Sequence, residues 1–345
     1  MELRELGLDE MERRATKAGV NLPIEQTPEW AHLERTIPGK TSWGALELVK
    51  DGRTVGFISL FDYLTHGYHY LRSVHGPVWL EEPTAELEQE FVSSLTSYVK
   101  AHDKKQVFCR LAVKADLASC RPTLSTLPYN QTVVIDLSGD GDEEALLSRM
   151  KTRGRRDVRK ALRETPATYA DETAQAAESF DEYYDVMVET AARDGFTCAP
   201  QTNYENMISI LGPEHCRVFA GRVDGQVVTW SIVTVNGTHA VRYYGASKTD
   251  VPKRNFVTDG LVFFEAKTLS AEGKLDLDLM GIGNDFAPSL KGLNVFKCKF
   301  SKDILDIAPD RDVPFKPLVY ASLVKARQLL KRKSSEDKDE KKGKE

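Results

Sequence analysis

Val218-Phe219-Ala220-Gly221-Arg222-Val223-Asp224-Gly225-Gln226-Val227-Val228-Thr229-Trp230 reads as a strand, a tight Asp-Gly turn and a second strand. Asp-Gly between apolar, β-branched runs is a strong short-range hairpin signal, because both turn residues must adopt positive φ. The same design stands earlier, in Leu46-Glu47-Leu48-Val49-Lys50-Asp51-Gly52-Arg53-Thr54-Val55-Gly56-Phe57-Ile58. The later hairpin continues through Asn236-Gly237 into His239-Ala240-Val241-Arg242-Tyr243-Tyr244, a third strand. Each hairpin is preceded and followed by helical pattern. Two copies of one α/β unit are therefore expected, with coincidence as the competing explanation because Asp-Gly hairpins are common.

A chain of 345 residues has length for two ordinary domains. Its 41% hydrophobic and 29% charged residues describe a water-soluble fold, and no apolar run is long enough to cross a bilayer. Met1-Glu2-Leu3-Arg4-Glu5 is charged from the outset and lacks the apolar core of a secretory leader, so a cytoplasmic protein is expected. The five cysteines, Cys109, Cys120, Cys198, Cys216 and Cys298, are scattered without a C-x-x-C pair, as reduced core thiols would be. His66 and His69 have no further ligands nearby, so no metal site is expected. A net charge of −5 excludes a molecule that is basic overall; any anion site must be local.

Glycine and aspartate in Leu137-Ser138-Gly139-Asp140-Gly141-Asp142 stop the strand Thr132–Asp136 and open a helix with an acidic first turn. A first domain is expected over residues 1–138, joined by a C-terminal helix over 317–332, and a second over 139–316. Pro309, Pro314 and Pro317 break the chain before that helix. Residues 333–345 are almost wholly polar and charged, which predicts a disordered tail.

One helix is expected from Glu143 to Arg163. Leu147, Met150, Val158, Ala161 and Leu162 form its core face, with Gly154 filling one turn. Arg149, Arg153, Arg156, Lys160 and Arg163 recur at the same spacing on another face. Like charges one turn apart repel unless an anion joins them, and arginine suits bidentate contact with phosphate. Arg153, Arg156 and Lys160 are thus candidate RNA-phosphate contacts; a solvated face answered by Glu144, Asp157 and Glu164 is the plain alternative.

Asp276 and Asp278 alternate with Leu275, Leu277 and Leu279, a strand with one polar face ended by Gly281 and Gly283. One loop later stands Gly292-Leu293-Asn294-Val295-Phe296-Lys297, where an ammonium beside an aromatic ring can be held against a reacting group. The pairing suggests acyl transfer, against a surface lysine on an edge strand. The chain has no P-loop, dinucleotide fingerprint or G-x-S-x-G elbow. Lys253-Arg254-Asn255-Phe256-Val257-Thr258-Asp259-Gly260 has one glycine where CoA-dependent enzymes cradle pyrophosphate with several, which disfavours a CoA donor.

Taken together these residues resemble the FemABX family, tRNA-dependent aminoacyltransferases that build the interpeptide bridge of peptidoglycan. The resemblance runs in order through Gln26-Thr27-Pro28-Glu29-Trp30, Gly76-Pro77-Val78, Arg153 to Ala161, Ala192-Arg193-Asp194-Gly195-Phe196, Tyr243-Tyr244-Gly245-Ala246-Ser247, Asp278 to Ile282 and Val295-Phe296-Lys297. It implies an α/β fold of two GNAT-like domains, each a mixed twisted sheet flanked by helices. The long coiled-coil arm of members such as FemA has no counterpart, so the chain looks like the armless FemX type.

The resemblance places Phe296 and Lys297 at the aminoacyl ester and the tRNA 3′ end, and Arg193 and Tyr244, with Tyr243 and Trp30 beside them, at the diphosphate and muramyl peptide of the acceptor. In two places the chain departs from the family. Arg110-Leu111-Ala112 lacks the acid that FemX-type relatives often carry after the arginine, so a protein carboxylate as general base is in doubt there. His32 stands where a lysine helps hold acceptor phosphate, and Lys40 is the substitute considered.

The implied reaction moves an amino acid from aminoacyl-tRNA, the co-substrate, to the stem-peptide amine of UDP-MurNAc-pentapeptide or lipid II, with no other cofactor and a monomeric enzyme. Lys297 is the candidate for the charge that stabilises the oxyanion and leaving alkoxide. The rivals are a CoA-dependent N-acyltransferase, an RNA-binding protein without catalysis, and aminoacyl transfer to a lipid headgroup. In the last case the terminal helix, with Leu323, Val324, Leu329 and Leu330 beside Lys325, Arg327 and Lys331 to Lys333, would rest on the inner face of the membrane.

Overall fold

A computed structural model describes residues 1–124, 128–249 and 256–342. The chain forms two compact units. The first comprises Met1–Arg14, Pro38–Pro128 and Ala308–Glu345, the second Ala15–Ile37 and Tyr129–Ile307.

The first unit holds β1 (Glu2–Leu6), β2 (Lys40–Lys50), β3 (Arg53–Thr65), β4 (Tyr68–Arg72), β5 (Val78–Trp79), β6 (Gln106–Ala112) and β14 (Asp310–Pro314) in one sheet. The order is β1-β2-β3-β4-β6-β14, with β5 pairing β3. All neighbours are antiparallel except β4 and β6. Helix α3 (Ala85–His102) makes the crossover between the parallel strands, as that connection requires. Its Phe91, Leu95 and Val99 recur every fourth residue and bury against Leu46, Leu48, Ile58 and Leu60, which alternate along the β2–β3 hairpin. The hairpin turn has Asp51 and Gly52 at φ of 51° and 74°, as its sequence predicts. Helix α1 (Leu8–Lys17) follows β1, and α11 (Pro317–Lys342) closes the chain.

The second unit contains α2 (Pro28–Glu34), β7 (Gln131–Asp136), α4 (Glu143–Arg149), α5 (Thr152–Glu164), β8 (Thr168–Asp171), α6 (Thr173–Glu178), α7 (Asp181–Asp194), α8 (Gln201–His215), β9 (Cys216–Val223), β10 (Gln226–Asn236), β11 (His239–Ser247), α9 (Val257–Ala271), β12 (Asp276–Gly281), α10 (Lys291–Lys297) and β13 (Ile304–Asp306). Its sheet runs β13-β7-β12-β11-β10-β9-β8. Here too a single neighbouring pair is parallel, β11 with β12, and α9 is its crossover. From β8 to β7 the order and senses repeat those from β1 to β14, and the second Asp-Gly turn repeats the first, with Asp224 at 51° and Gly225 at 79°. The duplication read from the two hairpins is therefore present in the topology. Leu261, Val262, Ala266 and Leu269 of α9 pack on one face of this sheet against Val233, Val235, Leu277 and Leu279.

Four expectations need correction. Strand β7 belongs to the second sheet, paired with β12, so the seam lies at Pro128–Tyr129 rather than 138–139, and Ala15–Ile37 goes with the second unit. The segment between Pro309 and Pro314 is an edge strand, where proline is tolerated, and not only a break. The helix expected over 143–163 is two helices: Met150 and Lys151 are extended, and Lys151 N–H donates to Lys299 O at 3.1 Å. Gly154 is there because a Cβ would overlap that same Lys299 carbonyl. Finally, α11 continues to Lys342, so residues expected to be disordered from 333 are helical at that point.

Candidate active site

Strands β11 and β12 are paired only at His239–Asp276, Ala240–Leu277 and Val241–Asp278. Beyond that point each stays with its other neighbour. On β11, Val233 of β10 faces Arg242 and Ile232 faces Tyr244, leaving Tyr243 as an extra residue, a β-bulge. On β12 the register with β7 shifts between Asp278 and Gly281, and Met280 has a φ of 64°. A positive φ at a non-glycine residue costs free energy and is retained only where the surroundings enforce it. Asp278 does so, its Oδ1 accepting from Met280 N–H at 2.6 Å and from Thr132 Oγ1. A bulge on one strand and a kink on the other thus open a wedge inside the sheet. The corresponding pair in the first unit stays closed, since Ser73 N–H reaches Arg110 O at 2.8 Å and Ala112 N–H reaches Gly76 O at 2.8 Å.

Lys297 ends α10 at this wedge, and its Nζ donates to Gly281 O, the last residue of β12, at 2.9 Å. The helix is held by Asn294, whose amide both accepts from Gly283 N–H (2.8 Å) and donates to Gly283 O (2.7 Å). Lys297 is therefore a half-buried group at the end of a short helix, not a surface lysine on an edge strand. Burial, followed by the Arg242 charge, lowers its pKa to about 8, while Asp278 acts in the opposite direction. Phe296 packs on the core of this unit, edge to face with Phe300 at 5.2 Å, and anchors the helix.

On the α9 side of the sheet lies a buried network that the sequence reading missed. Arg242 Nε donates to both oxygens of Glu265, at 3.1 and 3.3 Å, and Ser231 Oγ donates to the same carboxylate at 2.6 Å. Glu265 is fully buried; burial raises its pKa, against the pull of Arg242. The available signal was an acid in the middle of the apolar run Leu261-Val262-Phe263-Phe264-Glu265-Ala266.

The rings of Trp30, Tyr243, Tyr244 and Tyr204 lie in one chain of contacts. Ring centroids are 5.5 Å apart for Trp30–Tyr243, 5.3 Å for Tyr243–Tyr244 and 5.0 Å for Tyr204–Tyr244. Trp30 is set by α2, where Thr27 caps the helix by accepting from Trp30 N–H, and Pro28 fills the first turn. Arg193 is fixed at the end of β11 by Ser247 O (2.7 Å) and by Asp194. Lys40 belongs to the first unit, over the Tyr63 ring at 4.6 Å, and is not among the residues gathered here.

The basic helix is α5. Arg153 and Arg156 both lie against Asp157, at 3.6 and 2.9 Å, and Lys160 lies 3.7 Å from Glu164 and over the Phe256 ring. Asp157 is buried and also meets Lys299, which pairs in turn with Asp259. Lys299 thus ties α5 to the segment that carries Lys297, two residues away. The carboxylates neutralise part of this face, yet the Arg153 and Arg156 side chains remain more than half exposed, at 58% and 72%.

Of the single-glycine segment, Lys253 to Asn255 lie outside the described residues. Gly260 itself is in the first turn of α9, where a Cβ would overlap the Tyr169 ring, so that glycine serves helix packing. Among the described residues no cluster of three His, Cys, Asp or Glu side chains has metal-binding geometry.

Residues 148–282 match the family described as Acetyltransferase (GNAT) domain. That span runs from the end of α4 past β12 and includes the wedge, but stops short of Lys297. No curated protein sequence matches the chain. Among solved structures, FemX superimposes with a TM-score of 0.73 at 15% identity, covering 94% of this chain and 100% of its own. The C-terminal domain of a putative lysylphosphatidylglycerol synthetase from Agrobacterium fabrum gives 0.53 at 16%, over 93% and 96%. A tandem GNAT protein from the clavulanic acid biosynthesis pathway gives 0.50 at 10%, over 91% and 98%. The chain is a tandem GNAT-fold protein built like FemX, with an acyltransferase domain of the GNAT type in its second unit.

Proposed function

We propose that this protein is an aminoacyltransferase that moves an amino acid from aminoacyl-tRNA to the stem-peptide amine of a peptidoglycan precursor, UDP-MurNAc-pentapeptide or lipid II. The observation that carries this reading is the placement of Lys297. A half-buried ammonium stands at the wedge, joined through Lys299 to a helix with exposed arginines. An aminoacyl ester is already activated, so the enzyme must mainly align two large anionic substrates and stabilise charge on the reacting oxygens. In this scheme α5 holds tRNA phosphates through Arg153, Arg156 and Lys160. Lys297 stands by the ester, protonated at neutral pH and acidic enough to give a proton to the departing ribose alkoxide. The aromatic group Trp30, Tyr243 and Tyr244, with Arg193, receives the acceptor. Aminoacyl-tRNA is the co-substrate, no other cofactor is required, and the reaction belongs to the cytoplasm.

A second acceptor class has specific support, because a lysylphosphatidylglycerol synthetase domain shares the fold. Helix α11 exposes Leu318, Leu329 and Leu330 near Lys325 and Arg327, a composition suited to an anionic lipid surface. No described helix is long and apolar enough to cross a membrane.

The test is transfer of radiolabel from a mixed pool of charged tRNAs to UDP-MurNAc-pentapeptide, lipid II and phosphatidylglycerol vesicles in parallel, with acetyl-CoA as a separate donor. Label on either muramyl acceptor that is lost on ribonuclease treatment supports the proposal. Label on the lipid alone selects the second reading, and label from acetyl-CoA alone overturns both.

A further inference from the structure

Arg242 is the second cation at the wedge, and its hydrogen bonding is incomplete. Its Nη2 is buried and has no acceptor among the described residues. Leaving a buried donor unmade costs about 1–3 kcal/mol, and buried polar groups are as a rule paired. The guanidinium cannot easily turn to relieve this. Glu265 holds Nε from one side, and Ser231 fixes Glu265 in turn. Gly245 passes so close that a Cβ there would lie 2.5 Å from Nη1 and 2.9 Å from Nη2. Three neighbours thus orient the group, and only its Nε N–H is taken, by Glu265.

Its location gives the terminal N–H groups a use. Arg242 is the first residue of β11 after pairing with β12 ends, directly before the bulge at Tyr243. It is close enough to Lys297 for its charge to lower the proton affinity of that amine. Glu265 balances the Arg242 charge, so the site does not present the net positive charge that a phosphate dianion would need. It suits an oxygen that is neutral at rest and negative only in the transition state, the condition for catalysis rather than tight ground-state binding.

We propose that Arg242 is an oxyanion donor, its guanidinium receiving the carbonyl oxygen of the acyl group through the terminal N–H groups that Glu265 leaves unused, as the acceptor amine attacks. The inference rests on the acyl-transfer reading above. In the step, the amine lone pair forms the new C–N bond and the carbonyl π pair moves to the oxygen facing Arg242. Collapse re-forms the carbonyl and expels the ribose oxygen with its bonding pair. Lys297 gives that oxygen a proton and regains one from the attacking nitrogen, leaving an amide, a free ribose hydroxyl and an unchanged enzyme.

The experiment uses the full chain and whichever donor the wild type accepts, aminoacyl-tRNA or acetyl-CoA, since both present an acyl carbonyl. Arg242→Gln and Arg242→Lys are compared with wild type by single-turnover rate, KM and thermal melting. Arg242→Lys keeps a cation opposite Glu265 and guards against loss of fold. The expected result is a fall of about 10²- to 10³-fold in rate, the effect of losing one oxyanion donor, with donor KM within about threefold. Millimolar guanidinium should restore at least about tenfold of the rate of Arg242→Ala by refilling the site. Folded variants with rates within about threefold of wild type, or a loss confined to KM, overturn the assignment. A wild type that uses only acetyl-CoA overturns the tRNA-dependent function but leaves the Arg242 comparison intact.

Discussion

Replacing Lys297 with methionine should abolish most activity and make the protein more stable, and the two effects have one cause. The folded environment lowers the Lys297 pKa from an ordinary 10.5 to about 8. At about 1.4 kcal/mol per pH unit, holding the ammonium charged at neutral pH costs about 3 kcal/mol. Methionine has similar reach and removes that cost, but it also removes the donor to Gly281 O, a loss of about 1.5 kcal/mol. The difference is a gain of about 1.5 kcal/mol, or about 3–6 °C in melting temperature for a domain of about 200 residues. The sign of the pH dependence follows from proton counting. Below pH 8 folded and unfolded chains are both protonated and the penalty is fully present. Between about 8 and 10.5 the unfolded chain retains a proton that the folded chain has released, so wild-type stability rises with pH. The advantage of Lys297→Met should therefore be largest below pH 8, cancel near about pH 9 and reverse above it, where only the lost hydrogen bond remains. Scanning calorimetry of both proteins from pH 6 to 10, with single-turnover transfer at pH 7, checks this. Transfer should drop by about 10²- to 10³-fold. A variant that melts below wild type at pH 7, or whose difference from wild type ignores pH, would refute the argument and make Lys297 a structural residue.

Gly245→Ala should leave the fold nearly unchanged yet displace the Arg242 guanidinium, lowering transfer by at least about tenfold while urea midpoints stay close to wild type. Gly154→Ala should do the reverse, costing about 1–3 kcal/mol in urea unfolding, because its Cβ meets the rigid Lys299 carbonyl rather than a side-chain tip. In the first unit Asp312 pairs with fully buried Arg110 at 2.7 and 3.0 Å and accepts from Tyr320 at 3.0 Å. Asp312→Ala strands that arginine and should cost about 3–5 kcal/mol, read as early loss of structure on denaturation. For the double variant Arg153→Ala, Arg156→Ala, tRNA binding should weaken and the slope of log affinity against log salt should fall by about 1.5–2, as expected for two lost phosphate contacts; an unchanged slope assigns those arginines to Asp157 alone.

What could be read in the sequence was local. Each Asp-Gly turn fixes a hairpin through its own two dihedrals, so the duplicated unit was visible without knowledge of the packing. The alternation in Leu275–Leu279 gave β12, and a lysine after an aromatic one loop later pointed to the wedge. What was missed depends on partners far along the chain. The break between α4 and α5 is made by the Lys299 carbonyl, and nothing between Glu143 and Arg163 announces it. The proline-bounded segment Asp310–Pro314 is a strand only because β6 offers an edge with which to pair. Arg242 and Glu265 belong to different elements, and neither marks a site until the fold sets them 3.1 Å apart. The charged tail shows the limit of composition: polar sequence removes a reason to pack, but it does not prevent α11 from continuing.

The repeated topology also argues for where the chemistry resides. In a closed parallel pair the peptide groups along the seam are spent on one another, and no donor remains for a ligand. The β4–β6 pair is nearer that state, because Ser73 and Gly76 continue the pairing with Arg110 and Ala112 of β6 past the end of β4. Keeping such a pair open has a cost, because backbone groups lose partners and a non-glycine residue must hold a positive φ. The second unit holds the bulge at Tyr243 and the positive φ at Met280, and adjacent to them places a half-buried lysine and an arginine whose buried Nη2 has no acceptor among the described residues. Four unfavourable features gathered around one opening, in one of two copies of the same fold, are not what stability alone would preserve. Their common effect is to set an incompletely bonded guanidinium beside an amine with a displaced proton equilibrium, which is what acyl transfer requires.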